Sequence, residues 1–238
     1  MAETATHSGT AVRVYDLHKS YREGAHALEV LHGVNLDIAR GDLTLLMGPS
    51  GSGKTTLLTI MGLLMKPTSG RVELLGRDVT SLDESALPAL RRRHVGFIFQ
   101  NFNLLGALNA AENVEVVLGL QGVRGRAARK QAMALLDQVG LADRWSHLPD
   151  EMSGGEKQRV GVARALASQA ELILADEPTG NLDSRTAAQV VDILRHLAHT
   201  ENRAVLVVTH DLGLQEHADC VVRMRDGTIV EPHDGVAA

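Results

Sequence analysis

The stretch Gly48-Pro49-Ser50-Gly51-Ser52-Gly53-Lys54-Thr55 constrains this chain more than any other, because it reads Gly-x-x-x-x-Gly-Lys-Thr directly after the apolar run Leu43-Thr44-Leu45-Leu46-Met47. Glycines let the backbone turn so tightly that successive N–H groups point at one anion. The apolar Leu57-Leu58-Thr59-Ile60-Met61 that follows suits a helix whose positive N-terminus faces the same anion. Strand, loop and helix in this order predict a nucleotide site in which Lys54 reaches the β- and γ-phosphates and Thr55 holds Mg²⁺.

With 238 residues, 44% of them apolar, the chain has enough material for one large α/β domain or two small ones. No apolar run approaches the roughly 18 residues that cross a bilayer, and Met1 to Thr10 has no apolar signal-peptide centre, so the chain is expected to stay in the cytoplasm. Cys220 stands alone, which excludes an internal disulfide and a cysteine metal cluster. A net charge of −5 argues against general nucleic-acid binding. The local clusters Arg91-Arg92-Arg93 and Arg124, Arg126, Arg129, Lys130 read as solvated helix faces or as surfaces lying against anionic lipid.

From Val12 to Ile38 the chain alternates, with Val34, Leu36 and Ile38 apolar between Asn35 and Asp37, as in a half-exposed antiparallel strand. Tyr21 is expected between the first two strands of this β-layer, either as an exposed platform for a purine base or as an ordinary strand tyrosine. Pro67 to Gly70 reads as a turn and Arg71 to Gly76 as a further strand of the layer. The buried run Val95 to Phe99 ends at Gln100, whose amide stands where open α/β sheets bind ligands, although a loop glutamine fits the same position. Between Asn101 and about Glu151 the patterns turn helical, with Ala128, Ala132, Leu135, Leu136 and Val139 on one face of a helix ending near Gly140. Ser153-Gly154-Gly155-Glu156 offers N–H groups and a hydroxyl to an anion at a helix start, or equally a capping box.

Leu172 to Glu177 is an apolar strand that delivers two carboxylates. Asp176 is placed for a Mg²⁺ shell and Glu177 to orient and deprotonate a water, although Asp-Glu pairs also end strands without chemistry. After Asn181-Leu182-Asp183 comes a helix with Val190, Val191, Leu194 and Leu197 on one face, then the strand Val205 to Val208 ending at Thr209-His210. His210 is positioned for a γ-phosphate contact or for capping the next helix, and Asp226-Gly227 reads as a hairpin turn.

Six separated motifs in this order resemble the nucleotide-binding subunit of ABC transporters over nearly the whole chain, from about Val12 to Glu231. The resemblance implies an α/β fold, with a P-loop NTPase core sheet that is mostly parallel, an antiparallel β-layer, and a helical subdomain at about 100–160 within one domain, 1–238. It implies ATP hydrolysis with Mg²⁺. Tyr21 would stack on adenine, Gly48 to Thr56 (Gly48, Pro49, Ser50, Gly51, Ser52, Gly53, Lys54, Thr55, Thr56) would bind phosphates, and Gln100 and Asp176 would serve the metal with Thr55. Ser153, Gly154, Gly155 and Glu156 match the signature motif, with glutamate where the general pattern Leu-Ser-Gly-Gly-Gln has glutamine. Glu177 matches the catalytic base, Asp183 the D-loop and His210 the switch histidine.

The stretches Gly96 to Leu105, Glu112-Asn113-Val114 and Asp176 to Asp183 look like the bacterial ATPases of lipoprotein release, macrolide efflux and cell division. Expected partners are a second copy packed head to tail and integral membrane permease subunits at the cytoplasmic face of the membrane, with no nucleic acid. Phe102, Leu104, Leu105 and Leu108 either form part of a docking groove for the membrane partner or fill the subdomain core. A soluble ABC-type ATPase and an envelope regulator that transports nothing are the alternative readings.

Overall fold

The computed structural model describes residues 9–23 and 26–234, so most of the polar segment Met1 to Thr10 and both ends of the expected 1–238 domain lie outside the described residues. Two long strands, β1 (Thr10–Glu23) and β2 (His26–Ala39), pair antiparallel, with β4 (Ser69–Leu74) and β5 (Arg77–Asp78) completing a sheet in the order β2-β1-β4-β5. Val12, Val14 and Leu17 all reach the buried face despite their uneven spacing. A bulge between Val14 and Leu17, with Asp16 at φ 44°, supplies the extra residue that brings Leu17 back to that face. Tyr21 lies within β1, opposite Leu28, and not between strands, because the polar segment Lys19 to Arg22 continues the pairing as far as Glu23. Strand β4 begins at Ser69, inside the expected Pro67–Gly70 turn.

The second sheet runs β10-β9-β3-β8-β7-β6, from β3 (Leu43–Met47), β6 (Val95–Ile98), β7 (Leu172–Asp176), β8 (Ala204–Thr209), β9 (Cys220–Arg225) and β10 (Thr228–Asp234). Every neighbouring pair is parallel except β9 and β10, which form the hairpin at Asp226-Gly227. Its turn residues have φ 45° and 76°, as a type I′ turn requires. All six residues of β8 are buried, as befits a central parallel strand covered on both faces.

Alternation along these strands divides the interior into two cores. Leu43, Leu45, Met47, Ile173, Ala175, Val205 and Val207 pack with α3 (Ala110–Leu120), α4 (Gly125–Gln138), α5 (Gly154–Ala167) and α6 (Ser184–His199). Leu46, Leu172, Leu174, Leu206 and Val208 pack with α1 (Lys54–Met61), Leu87 of α2 (Leu87–His94) and the inner face of the antiparallel sheet. The expected helix faces are buried at Ala128, Ala132, Leu136 and Val139, and at Val190, Val191, Leu194 and Leu197.

Candidate active site

Four parallel strands end at the same edge. Met47 pairs with Thr209, Asp176 with Val208, and Ile98 with Ala175, so the loop after β3, the carboxylates of β7, His210 after β8 and Gln100 after β6 all emerge side by side. Such an edge is where open α/β sheets bind ligands. A cavity of about 650 Å³ opens there, lined by Gly48 to Gly51, Gly53 to Thr56, Gln100, Asp176, Glu177 and His210, with Val30 of β2 on its side.

Within the loop, Lys54 is only 8% exposed and its Nζ donates to the carbonyls of Gly48 and Pro49, each at 2.8 Å. Those bonds use two of its three protons and leave the third for a further acceptor. Burial pulls the Lys54 ammonium below its ordinary pKa, against the opposing pull of Glu177 and Asp176. Ser52 Oγ is buried without a hydrogen-bond partner among the described residues, so the loop carries a polar group suited to an anion. The C-terminal hairpin braces the loop from behind. Gly227 N–H donates to Ser52 O at 3.1 Å, His32 N–H donates to Gly227 O at 2.9 Å, and a Cβ on Gly48 would overlap the carbonyl oxygen of Met224.

Opposite Lys54, Thr55 Oγ1 lies 3.3 and 3.5 Å from the two carboxylate oxygens of Asp176. Burial raises the Asp176 pKa, with the neighbouring Glu177 charge acting in the same direction and the Thr55 hydroxyl and Lys54 opposing it. Glu177 sits at φ 47°, an uncommon backbone for a side-chain-bearing residue, and its N–H is held by Val208 O at 2.9 Å. Its Oε1 lies 2.8 Å from His210 Nδ1. A carboxylate only accepts, so Nδ1–H is the donor. That bond is the main reason the His210 pKa rises above its ordinary value.

The remaining expected residues lie elsewhere. Tyr21 flanks the cavity without lining it, with its hydroxyl 3.4 Å from Thr56 Oγ1 and the Lys19 ammonium 5.3 Å from its ring centre. Ser153 caps α5 by accepting Glu156 N–H at 3.3 Å, while Glu156 Oε2 accepts Ser153 N–H at 2.8 Å. The capping box is therefore formed, with Ser153 itself exposed and outside the cavity. Gly155 packs so closely on Thr186 that a Cβ would overlap its methyl group. Asp183 caps α6, accepting the N–H groups of Arg185 and Thr186 at 3.1 Å each and the Thr186 hydroxyl at 2.8 Å, and that hydroxyl is the first cause of its lowered pKa. The loops after β6 and β7 are tied where Asn181 Nδ2 donates to Gln100 O at 3.3 Å. Of the candidate docking residues, Leu104 packs into the core, Phe102 and Leu108 are half-buried, and Leu105 is 48% exposed. Asn113 knots that segment, bonding both N–H and C=O of Leu105 and the carbonyls of Leu108 and Asn109.

A sequence profile described as ABC transporter matches residues 31–180. The uncharacterized ABC transporter ATP-binding protein YknY of Bacillus subtilis is 44% identical over 94% of this chain and 97% of its own length. The macrolide export ATP-binding/permease protein MacB of Rhodopirellula baltica is 46% identical over 92% of this chain, which spans only 32% of that protein. Among solved structures, the dimeric post-hydrolysis state of the ATP-binding cassette MJ0796 bound to ADP and Pi superposes with a TM-score of 0.89 at 37% identity, covering 95% of this chain and all of that one.

Proposed function

The chain belongs to the ABC transporter ATP-binding family, in the branch of YknY and MacB, and on that premise we propose how its residues divide the work of ATP hydrolysis. It is the ATP-hydrolysing cassette of a transporter. The observation that carries the residue assignment is the convergence of Lys54, Asp176, Glu177 and His210 on one cavity from the ends of adjacent parallel strands. Gly48 to Thr56 cradle the triphosphate, with Lys54 donating its third proton to the β- and γ-phosphates and Tyr21 on the adenine side. Thr55 and Asp176 present hard oxygens 3.3 Å apart, a donor set that fits Mg²⁺, with the Gln100 amide as a further oxygen. Mg²⁺ would neutralise charge that builds on the phosphate oxygens. His210 Nδ1–H fixes the Glu177 carboxylate through Oε1, leaving Oε2 to take the proton of the attacking water.

Ser153, Gly154, Gly155, Glu156 and Asp183 lie outside this cavity, which supports a site completed by a second copy packed head to tail, and the MJ0796 cassette is itself dimeric. We read the whole chain as one ATP-binding domain with about residues 100–160 as its helical subdomain. Among the described residues no helix is long and apolar enough to cross a membrane. An integral membrane partner would hold this subunit at the cytoplasmic face, docking beside Leu105, and the macrolide-export names of its MacB relatives favour extrusion as the coupled process. The test is Glu177→Gln, which keeps shape and hydrogen bonding but removes basicity. ATP should bind and trap the dimer while turnover falls about 10²–10⁴-fold, the usual contribution of a general base. Near-normal single-turnover hydrolysis would refute the assignment of Glu177.

A further inference from the structure

The signature of this chain carries a carboxylate where a neutral amide would serve for the capping box, and that charge sits in the first turn of α5, beside Ser153. A helix N-terminus attracts an anion through its exposed N–H groups and partial positive charge. A full negative charge in the same turn opposes the approach of a triphosphate. The structure shows where that charge is answered. Arg144 Nε lies 3.0 Å from Glu156 Oε1, while Oε2 of the same carboxylate accepts Ser153 N–H at 2.8 Å. Glu156 is 19% exposed and Arg144 51% exposed, so the carboxylate is partly withdrawn from water and its partner reaches in from the surface.

Arg144 is held in place by its backbone. It ends the short helical turn Ala142–Arg144, with its N–H on Leu141 O and its C=O accepting His147 N–H, each at 3.0 Å. The next carbonyls, of Trp145 and His147, accept the N–H groups of Ala111 and Ala110 at 2.9 Å, which anchors the segment to the first turn of α3. The guanidinium is thus presented from a fixed position, and its Nη1 lies 3.2 Å from His147 Nε2.

We propose that Arg144 is a positioning residue for ATP hydrolysis: it neutralises Glu156 and holds that carboxylate on Ser153 N–H, so that the Ser153 hydroxyl meets the γ-phosphate on the partner's P-loop without electrostatic opposition. This rests on the across-interface reading of Ser153. Ser153 Oγ accepts Glu156 N–H, which leaves its own proton to donate to phosphate.

The experiment compares Arg144→Met in the natural chain and in a Glu156→Gln background, measuring ATP turnover at low and high salt and ATP binding to the single subunit. In the natural background turnover should fall about tenfold, a coupling typical of contacting charged residues, with subunit ATP affinity unchanged. The deficit should shrink as salt screens the exposed charge. In the Glu156→Gln background the same change should cost less than about twofold, since no carboxylate is left to neutralise. Arg144→Lys, which keeps the charge, should retain most of the turnover in both backgrounds, and Arg144→Gln, which removes it, gives the same comparison if Arg144→Met does not fold. Equal losses in both backgrounds, or a deficit indifferent to salt, would overturn the proposal and make Arg144 a plain structural brace. Failure of the across-interface reading is distinguishable: it would appear as no ATP-trapped dimer in Glu177→Gln with Arg144 intact.

Discussion

Gly227→Ala tests whether the C-terminal hairpin holds the phosphate loop. Gly227 has φ 76°, and its N–H donates to Ser52 O at 3.1 Å. A methyl group at this position would stand 2.5 Å from Val30 O, a backbone atom that cannot swing aside, and would overlap the His32 ring. The left-handed backbone costs an alanine about 1–2 kcal/mol, and loss of the bond to Ser52 adds about 0.5–1.5 kcal/mol. The sum, about 1.5–3.5 kcal/mol, lowers Tm by roughly 3–14 °C for a chain of this size. Gly76 is the control. It has the same φ of 76°, but a methyl group there meets nothing within 4 Å, so Gly76→Ala isolates the backbone strain. Differential scanning calorimetry should show the larger loss for Gly227→Ala. Titration calorimetry should show ATP affinity reduced about three- to tenfold in that variant alone, the equivalent of one displaced hydrogen bond. Equal Tm losses with ATP affinity unaffected in both variants would refute the bracing role.

Two further outcomes follow from the site. The His210 pKa is raised by Glu177, so the ion pair contributes fully below the ordinary histidine value of about 6.5 and is lost as pH rises through the raised value. Thermal melts of the natural chain and His210→Gln should therefore differ most at acidic pH and converge at alkaline pH, and a gap that widens with pH would contradict the pairing. Leu105→Glu should release the subunit from its membrane partner in detergent co-purification while leaving ATP binding intact, because the side chain is 48% exposed and its backbone is fixed by Asn113. Loss of ATP binding together with attachment would show that Leu105 serves the fold.

Much of this architecture was legible because parallel strands buried on both faces leave apolar runs, and such runs here end beside residues proposed for the site, as at Met47-Gly48, Asp176-Glu177 and Thr209-His210. Their meeting at one edge follows from parallel pairing, which strand type alone implies. What stayed hidden are contacts between segments distant in sequence. Met224 and Gly227 sit in an ordinary hairpin, and nothing local marks them as the backing of Gly48 and Ser52. Val30 reads as one more apolar residue of β2, yet it walls the cavity. Tyr21 was displaced by a polar strand end, where hydrophobic alternation gives no boundary. The Arg144–Glu156 pair joins two segments that no local pattern marks as neighbours.

The central claim is that each hydrolytic site is divided between the P-loop of one subunit and the signature of another. Mixing two inactive variants tests it directly. A Lys54→Ala subunit lacks the phosphate cation but keeps its signature, and a Ser153→Arg subunit keeps its P-loop but blocks its signature. In a head-to-tail heterodimer one site combines both defects and the other has none, so steady-state ATPase of the equimolar mixture should recover to as much as about a quarter of the natural rate under random pairing. A mixture no more active than its two components, with both variants folded and Ser153→Arg still binding ATP, would place the whole site within one chain and contradict the account.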